Sequence, residues 1–248
     1  MIQNPDPDRC NIEVCFTPAL YDNFHRSEAI VVVSDILRAT SAIVTAFMNG
    51  VSKIIPVGSL EEAREYKKMG FTVAAERDGL VRDFADFGNS PFNFTPDVVH
   101  GQTIVYSTTN GTQAIQVASN SHRVIIGSFL NLTATCNWLK KQKRDVVILC
   151  AGWKNKFNLE DSVHAGAMVE LLLQDPVFST ICDSSLASLD LWNLARQDLL
   201  AYMEKAAQRS RLRKNNLDDV IGYCLTPDIT DIIPVLEDQA LVKMDPDR

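Results

Sequence analysis

The chain has 248 residues, of which 46% are hydrophobic and 22% are charged, and its formal net charge is −7. This composition is typical of a folded globular protein with a buried core, and it excludes a disordered chain. The acidic balance argues against a nucleic-acid-binding protein, which would carry a basic face, although a few clustered cations can still bind a small anion.

The six cysteines are spread along the chain without a Cys-x-x-Cys pair. This pattern favours a reduced compartment over a zinc ribbon or a disulfide framework. Residues Met1 to Asn11 are polar and unlike a signal peptide. No apolar run approaches the ~20 residues that span a bilayer. We therefore expect a cytoplasmic protein that binds neither membranes nor nucleic acid.

Three units along the chain share the order of a strand, a polar loop and a helix. Their strands are predicted at residues 29–34, 103–106 and 146–150, and their helices are predicted to end near residues 48, 118 and 173. Continuous β-branched runs such as Ile30-Val31-Val32-Val33 are typical of parallel strands that helices cover on both faces. We predict an α/β protein with a three-layer α/β/α fold, whose mostly parallel sheet is built from strand-loop-helix units.

No low-complexity linker divides the chain, so residues 1–248 are predicted to form a single domain. A weak internal β-α-β-α repeat is predicted at about residues 29–70 and 101–142, with chance similarity of ordinary α/β units as the alternative. Residues 187–210 are predicted to be helical, and the basic residues 209–214 are interpreted as a solvated helix end rather than a substrate patch. Residues 232–235 and 240–242 indicate a C-terminal tail with a short edge strand.

The loop after the first strand combines a carboxylate with a guanidinium group. Asp35 lies at the carboxyl end of its strand, where parallel α/β sheets bind ligands. There it can bind a hard cation or attack phosphorus, and Arg38 has planar donors that match a phosphate or a sulfonate. Thr40 can cap the next helix. The structural alternative is a turn-capping Asp35 with Arg38 paired to a surface carboxylate.

The second and third loops add hydroxyl, amide and ammonium groups. Residues 107–112, Ser-Thr-Thr-Asn-Gly-Thr, can present N–H groups to an anion at a helix N-terminus, and a capped helix with a glycine turn explains them equally well. In the third loop Lys154 can attract an anion. Asn158, Glu160 and Asp161 are typical of a helix N-cap followed by acids in the first turn, and a metal-ligand role for the two acids is the alternative.

A fourth segment ends in Glu76, which could complete a set of carboxylates around Mg²⁺. The alternative is a surface hairpin in which Glu76 and Arg77 form a weak ion pair.

These segments together resemble the 2-phosphosulfolactate phosphatase family, in order and over roughly residues 28–170. The matching motifs are Val-Val-Ser-Asp-Ile-Leu-Arg-Ala-Thr-Ser at 32–41, Ala-Glu-Arg at 75–77, Gly-Asn-Ser-Pro at 88–91, Thr-Thr-Asn-Gly-Thr at 108–112, Gly-Ser-Phe-Leu-Asn at 127–131, Cys-Ala-Gly at 150–152 and Leu-Glu-Asp at 159–161.

The resemblance implies hydrolysis of 2-phosphosulfolactate to sulfolactate and phosphate, Mg²⁺ dependence and a place in coenzyme M biosynthesis. On this hypothesis Asp35 and Arg38 are catalytic, and the Mg²⁺ ligands are drawn from Asp35, Glu76, Glu160 and Asp161. The residues expected to bind the substrate are Thr40, Asn89, Ser90, Thr108, Thr109, Asn110, Gly111, Thr112, Gly152 and Lys154.

Two other functions stay open from the sequence. One is a phosphatase for another small phosphorylated acid, such as phospholactate or phosphoglycolate. The other is a protein that binds an anionic metabolite without turning it over. The nucleophile is either a metal-activated water or Asp35 itself, and a homodimer is the expected oligomer.

Overall fold

The computed structural model describes residues 8–245, which contain one sheet of eleven strands with helices on both faces. The strands are β1 (Cys10–Cys15), β2 (Ile30–Ser34), β3 (Lys53–Pro56), β4 (Thr72–Arg77), β5 (Leu80–Val81), β6 (Thr103–Ser107), β7 (Arg123–Gly127), β8 (Val146–Cys150), β9 (Phe178–Ser179), β10 (Pro234–Glu237) and β11 (Ala240–Lys243). The α-helices are α1 (Ala39–Met48), α2 (Leu60–Lys68), α3 (Pro96–Val99), α4 (Gly111–Ala118), α5 (Leu132–Gln142), α6 (Leu159–Leu173), α7 (Asp183–Ala195), α8 (Leu199–Tyr202), α9 (Ala207–Lys214) and α10 (Ile221–Cys224).

The strand order across the sheet is β5-β4-β6-β3-β11-β10-β7-β2-β8-β1-β9. Neighbouring strands are parallel within β4-β6-β3 and within β7-β2-β8-β1-β9. Strand β5 and the hairpin of β10 and β11 are antiparallel to their neighbours. The predicted α/β fold with a mostly parallel sheet is therefore confirmed.

The C-terminal hairpin lies in the middle of the sheet, so the predicted edge strand is wrong. Strand β10 pairs with β7 through Val235 and Ile125, and β11 pairs with β3 through Leu241 and Ile54. Both Val235 and Leu241 are buried. The hairpin lies between two groups of parallel strands and pairs with both of them. Burial of its apolar side chains away from water stabilises this central position. Sequence order alone does not reveal that a chain-terminal hairpin is inserted centrally.

The sequence interpretation also missed β1, which pairs in parallel with β8 and β9 near one edge of the sheet. The helical region predicted at 187–210 is broken into α7, α8, a 3-10 turn at Met203–Lys205, and the start of α9. The expectation about Met1 to Asn11 falls mostly on residues 1–7, which lie outside the described residues. Between residues 8 and 245, no helix has both the length and the apolar character of a membrane span.

Strands β2 and β8 are buried along their whole length, as their apolar sequences predict. On one face Val31 and Val33 pack in a cluster with apolar residues of α1 and α4. On the other face Ile30 and Val32 pack with apolar residues of α5 and α6. Strands β2, β6 and β8 are each followed by a loop and then by α1, α4 or α6. Three antiparallel pairings separate β7 from β3, so β6 runs opposite to β2 and β8, and the three loops are brought together by contacts between them rather than by one common edge of the sheet.

The two segments predicted as a repeat have the same order of elements, β2-α1-β3-α2 and β6-α4-β7-α5. Their strands pair crosswise, with β2 beside β7 and β3 beside β6. The repeat and the single domain stay predictions.

Candidate active site

The loop after β2 places a buried carboxylate against the start of α4. The Asp35 backbone N–H donates to Thr40 Oγ1 at 3.1 Å, and the Thr40 N–H donates back to the Asp35 carbonyl oxygen at 2.8 Å. Thr40 therefore closes this loop rather than capping α1. A Cβ atom built on Gly111 would lie 3.0 Å from Asp35 Oδ2 and 2.7 Å from Ala39 Cβ. The side chain of Asp35 thus approaches α4 at a position that only glycine leaves open.

Arg38 is buried in the same loop, and one of its guanidinium donors has no hydrogen-bond acceptor. Its Nη2 donates to Asn89 Oδ1 at 2.8 Å, and its Nη1 is buried without a hydrogen-bond partner. Burial lowers the pKa of Arg38 below its usual value, while the nearby Tyr106 and Glu76 act in the opposite direction. The alternative in which Arg38 pairs with a surface carboxylate is wrong.

Glu76 holds the second loop through backbone N–H groups. Its Oε1 accepts hydrogen bonds from the Thr109 N–H at 2.7 Å and from Thr109 Oγ1 at 3.1 Å, and its Oε2 accepts one from the Gly79 N–H at 2.6 Å. Only 3% of Glu76 is exposed. Arg77 donates instead to the backbone oxygen of Glu76 and to Ser107 Oγ. The alternative of a surface ion pair between Glu76 and Arg77 is therefore wrong.

The hydroxyl groups of Thr108 and Thr112 form hydrogen bonds within the second loop itself. The Thr108 N–H donates to Thr112 Oγ1 at 3.3 Å, and the Thr112 N–H donates to Thr108 Oγ1 at 3.2 Å. Asn110 Oδ1 accepts a hydrogen bond from the Lys154 N–H at 2.9 Å, which joins the second loop to the third. Ser90, in the segment next to Asn89, is the N-cap residue of the 3-10 turn Pro91–Asn93.

The third loop is a tight turn that requires glycine at its base. Trp153 and Lys156 exchange backbone hydrogen bonds of 2.9 and 3.0 Å, and Lys154 and Asn155 between them have positive φ angles. Gly152 has φ +63°, and a Cβ there would collide with the Lys156 carbonyl oxygen. At the exposed tip, Lys154 Nζ lies 2.7 Å from Asp78 Oδ1 in a salt bridge.

The first turn of α6 brings two more buried carboxylates to the loops. Asp161 Oδ1 accepts a hydrogen bond from the Ile36 N–H at 3.0 Å, and its Oδ2 accepts one from the Gly152 N–H at 3.2 Å. Asn158 is the N-cap residue as predicted, but its side chain donates to Glu160 Oε1 and Asp161 Oδ2 instead of capping the backbone. Glu160 Oε2 is buried without a hydrogen-bond partner.

Burial raises the pKa values of three of these acids, and repulsion between carboxylates adds to the rise for Asp35 and Asp161. Burial raises the pKa of Asp35 to about 7, with further repulsion from Glu76 and Glu160. Burial raises the pKa of Glu160 to about 6, and it raises that of Asp161 well above its usual value together with repulsion from Asp35 and Glu160. A cluster of buried acids without enough neighbouring cations is typical of a functional site and attracts a positive charge.

The side chains at the site supply only some of the ligands that a magnesium ion needs. Within residues 8–245, no group of three or more His, Cys, Asp or Glu side chains has the arrangement of a metal site. Glu76 and Asp161 already hold backbone N–H groups through both carboxylate oxygens. Asp35 and Glu160 remain as ligands. Mg²⁺ typically takes one or two carboxylates together with waters and substrate phosphate oxygens, so this smaller set fits it.

Helix α9 contributes two side chains that the sequence interpretation did not place at the site. Gln208 Nε2 donates to the Leu37 carbonyl oxygen at 3.0 Å, and Arg211 lies with its guanidinium carbon 4.2 Å from the centre of the Trp153 ring. The solvated helix end predicted for residues 209–214 is therefore wrong for Arg211. It holds for Arg213, which is exposed and pairs with Glu204 and Asp218. Gln208 and Arg211 are spaced so that they lie on the same face of a helix, and this spacing was the sequence signal that could have identified them as a pair.

The chain is similar in sequence to known proteins over most of its length. The profile of the family described as 2-phosphosulpholactate phosphatase matches residues 15–239. A protein of Caldanaerobacter subterraneus subsp. tengcongensis, named probable 2-phosphosulfolactate phosphatase, is 38% identical over 214 residues, which cover 85% of this chain and 88% of that protein.

Two further relatives carry the same name. The protein of Thermotoga maritima is 37% identical over 83% of this chain and 88% of its own length. The protein of Clostridium novyi is 35% identical over 82% of this chain and 87% of its own length. The match covers the four loop segments and extends into the C-terminal hairpin, which agrees with the resemblance inferred from the motifs. The chain therefore belongs to the 2-phosphosulpholactate phosphatase family, a family of phosphoric monoester hydrolases.

Proposed function

We propose that the protein is a Mg²⁺-dependent phosphatase that hydrolyses 2-phosphosulfolactate to sulfolactate and phosphate. The observation that carries the proposal is a pair of unsatisfied buried atoms at the edge where the loops meet. Arg38 Nη1 has no acceptor, and Glu160 Oε2 has no donor. A buried unpaired donor and acceptor cost free energy unless a ligand satisfies them. A phosphate group with its magnesium ion would satisfy both.

In this proposal Asp35 and Glu160 hold Mg²⁺, and the ion supplies charge neutralisation of the phosphoryl oxygens. Glu76 and Asp161, which the sequence also suggested as ligands, act as positioning residues instead. Glu76 ties the second loop to the fourth segment, and Asp161 ties the first loop to the third through the Ile36 and Gly152 N–H groups. Two carboxylates thus face the ligand while two fix the loops that surround it.

Arg38 and the N-terminus of α4 would bind the phosphoryl oxygens. Arg38 is fixed by Asn89, so its free Nη1 has little conformational entropy left to lose on binding. The N–H groups of Thr109 and Thr112 already donate to Glu76 and Thr108. We therefore assign anion binding in this loop to the positive N-terminus of α4 around Gly111.

We propose water as the nucleophile. Its oxygen forms a bond to phosphorus while the bond from phosphorus to the ester oxygen breaks. The attacking water gives up one proton, and the ester oxygen takes one up to become the hydroxyl of sulfolactate. The alternative, attack by Asp35, predicts an aspartyl-phosphate. A rapid-quench single turnover distinguishes them, because hydroxylamine releases phosphate from an aspartyl-phosphate in the quenched enzyme, whereas direct attack by water leaves no phosphate on the protein. A hydroxylamine-sensitive phosphoenzyme would overturn the water mechanism.

The decisive assay measures phosphate release from 2-phosphosulfolactate, phospholactate and phosphoglycolate, with Mg²⁺ and with excess EDTA. We expect release that requires Mg²⁺ and is fastest with 2-phosphosulfolactate. Arg38→Gln and Glu160→Gln should each lower kcat/KM by about 10²-fold or more, as the loss of a charge-stabilising group does. Arg213→Gln is the matched arginine control and should keep the wild-type rate. Equal rates on all three substrates would overturn the assigned substrate, and no release from any would favour a non-catalytic binding protein.

The wider setting is also a proposal. The named substrate of the relatives supports a step of the coenzyme M biosynthesis type. All six cysteines are free, which supports a reducing, cytoplasmic location. Sedimentation at several protein concentrations would test the expected homodimer.

A further inference from the structure

We propose that Arg211, supported by the ring of Trp153, forms a second anion subsite that binds the sulfonate of the substrate. The inference rests on the proposed function and assigns its substrate selectivity to α9, which lies outside the motifs at residues 32–161 that first indicated the family.

Arg211 is held in place by two independent contacts. Its guanidinium carbon lies 4.2 Å from the centre of the Trp153 ring, within the range of a cation–π interaction. Its Nε donates a 2.7 Å hydrogen bond to Gln208 Oε1, and Gln208 Nε2 donates in turn to the Leu37 carbonyl oxygen. Arg211 is thus fixed to the first loop and the third loop together. A guanidinium group that is held in advance loses little conformational entropy when it binds an anion.

The charge of Arg211 is not neutralised by a salt bridge within residues 8–245. Its neighbours on the same surface differ: Arg209 pairs with Glu204, Arg213 with Glu204 and Asp218, and Lys154 with Asp78. The carboxylate that interacts with Arg211 most directly is that of Glu160. Glu160 also lies close enough to Asp35 for the two to repel each other. Arg211 is therefore a half-buried cation beside the carboxylates that would hold Mg²⁺.

The two guanidinium groups are held by different segments of the chain. Arg38 is held by Asn89, and Arg211 is held by Trp153 and Gln208. A substrate that carries a phosphate and a sulfonate on adjacent carbon atoms can use both groups. A guanidinium group presents parallel N–H donors to the oxygens of a sulfonate as it does to those of a phosphate. Arg38 and Gly111 are assigned to the phosphoryl group, and Arg211 is assigned to the sulfonate. The comparison with phospholactate, which keeps the carboxylate of the substrate and lacks the sulfonate, tests this assignment against binding of the carboxylate.

The test compares 2-phosphosulfolactate with phospholactate, which lacks only the sulfonate. Arg211→Gln should lower kcat/KM for 2-phosphosulfolactate about tenfold or more beyond its effect on phospholactate, mainly through KM, since a hydrogen bond to a charged group contributes about 1.5–3 kcal/mol. Arg211→Lys should restore part of the selectivity because it keeps the charge and loses the parallel donors. Arg213→Gln, on the same helix, should leave the ratio of the two kcat/KM values at that of the wild type.

An equal loss on both substrates, or an unchanged ratio, would overturn the sulfonate subsite while leaving the phosphatase proposal intact. Absence of phosphate release by the wild type would instead overturn the proposed function. In that case the affinities of wild type and Arg211→Gln for sulfolactate and lactate, measured by calorimetry, test the subsite independently of catalysis. Binding of sulfolactate that Arg211→Gln weakens about tenfold, without a matching effect on lactate, would support it, and equal binding by both proteins would refute it.

Discussion

The replacement Gly111→Ala probes the contact between the first loop and α4. Gly111 is not among the glycines with positive φ, so alanine is tolerated by the backbone and only the available space opposes it. The new Cβ would lie 2.7 Å from Ala39 Cβ, 3.0 Å from Asp35 Oδ2 and 3.3 Å from Thr108 Oγ1. Carbon atoms normally approach to about 3.5–4.0 Å, so the starts of α1 and α4 must separate by about 1 Å.

Overpacking of this kind typically costs about 1–3 kcal/mol. The higher helix propensity of alanine recovers at most about 1 kcal/mol. For a chain of this length, a net loss of about 1–2 kcal/mol lowers Tm by about 2–8 °C. The same shift moves Asp35 relative to the phosphoryl group, and a displacement of about 1 Å at a reacting centre can lower the rate by about 10²-fold.

Gly222→Ala is the matched control, because no atom lies within 4 Å of the Cβ that it would add. Both variants should be examined by calorimetric unfolding and by Mg²⁺-dependent phosphate release. Gly111→Ala should lose both stability and activity, whereas Gly222→Ala should keep wild-type activity with an equal or higher Tm. Wild-type activity in Gly111→Ala would refute the close approach of Asp35 to α4.

Three further predictions concern buried polar groups. Glu76→Gln should lower the unfolding free energy by about 1–3 kcal/mol, because the amide cannot accept hydrogen bonds from both Thr109 and Gly79 as the carboxylate does. Calorimetric unfolding measures this loss beside the control Glu65→Gln, in which an exposed glutamate is replaced. Equal stability of the two variants would contradict the prediction. Mg²⁺ should raise the Tm of the wild type but not of Glu160→Gln, and an equal rise in both would remove Glu160 from the ligand set. Burial lowers the pKa of His164 from 6.5 to about 4, so the unfolded chain binds a proton that the native protein does not, and the contribution of His164 to stability should fall by about 3 kcal/mol as the pH drops through that window. The buried acids with raised pKa values titrate in the same range, so the test is the difference between two proteins: in urea unfolding the wild type should lose stability relative to His164→Asn as the pH falls. A constant difference would contradict the buried neutral imidazole.

The sequence carried enough local information to predict the central strands and the loops that follow them. Val31 to Val33 and Val146 to Leu149 are continuous apolar runs, and only a strand covered on both faces buries such a run. Strands β2 and β8 are parallel neighbours, so the polar residues after these two runs had to lie at the same edge of the sheet. Asp35, Arg38 and Glu160 could be named as site candidates for this reason. The loop with Gly111 follows β6, which runs in the opposite direction, and its approach to Asp35 depends on tertiary contacts.

The separate roles of the carboxylates could not be predicted in the same way. Glu76, Glu160 and Asp161 are equivalent as residue types, but their hydrogen-bond partners come from other segments. Asp161 accepts from the Ile36 N–H, 125 positions away in sequence, whereas Glu160 keeps a buried oxygen without a partner. Which acid holds a loop and which can hold a cation depends on these non-local contacts.

The sequence by itself determined the α/β class, the family and the loops that follow β2, β6 and β8, because each follows from residue types at short spacing. Only the tertiary structure decided that the C-terminal hairpin lies in the centre of the sheet and that Arg211 reaches Trp153. Both contacts join segments far apart in the chain, at Leu241 with Ile54 and at Arg211 with Trp153. Their partners are selected by the burial of apolar surface and by charge in the folded protein, and local sequence patterns do not encode that choice.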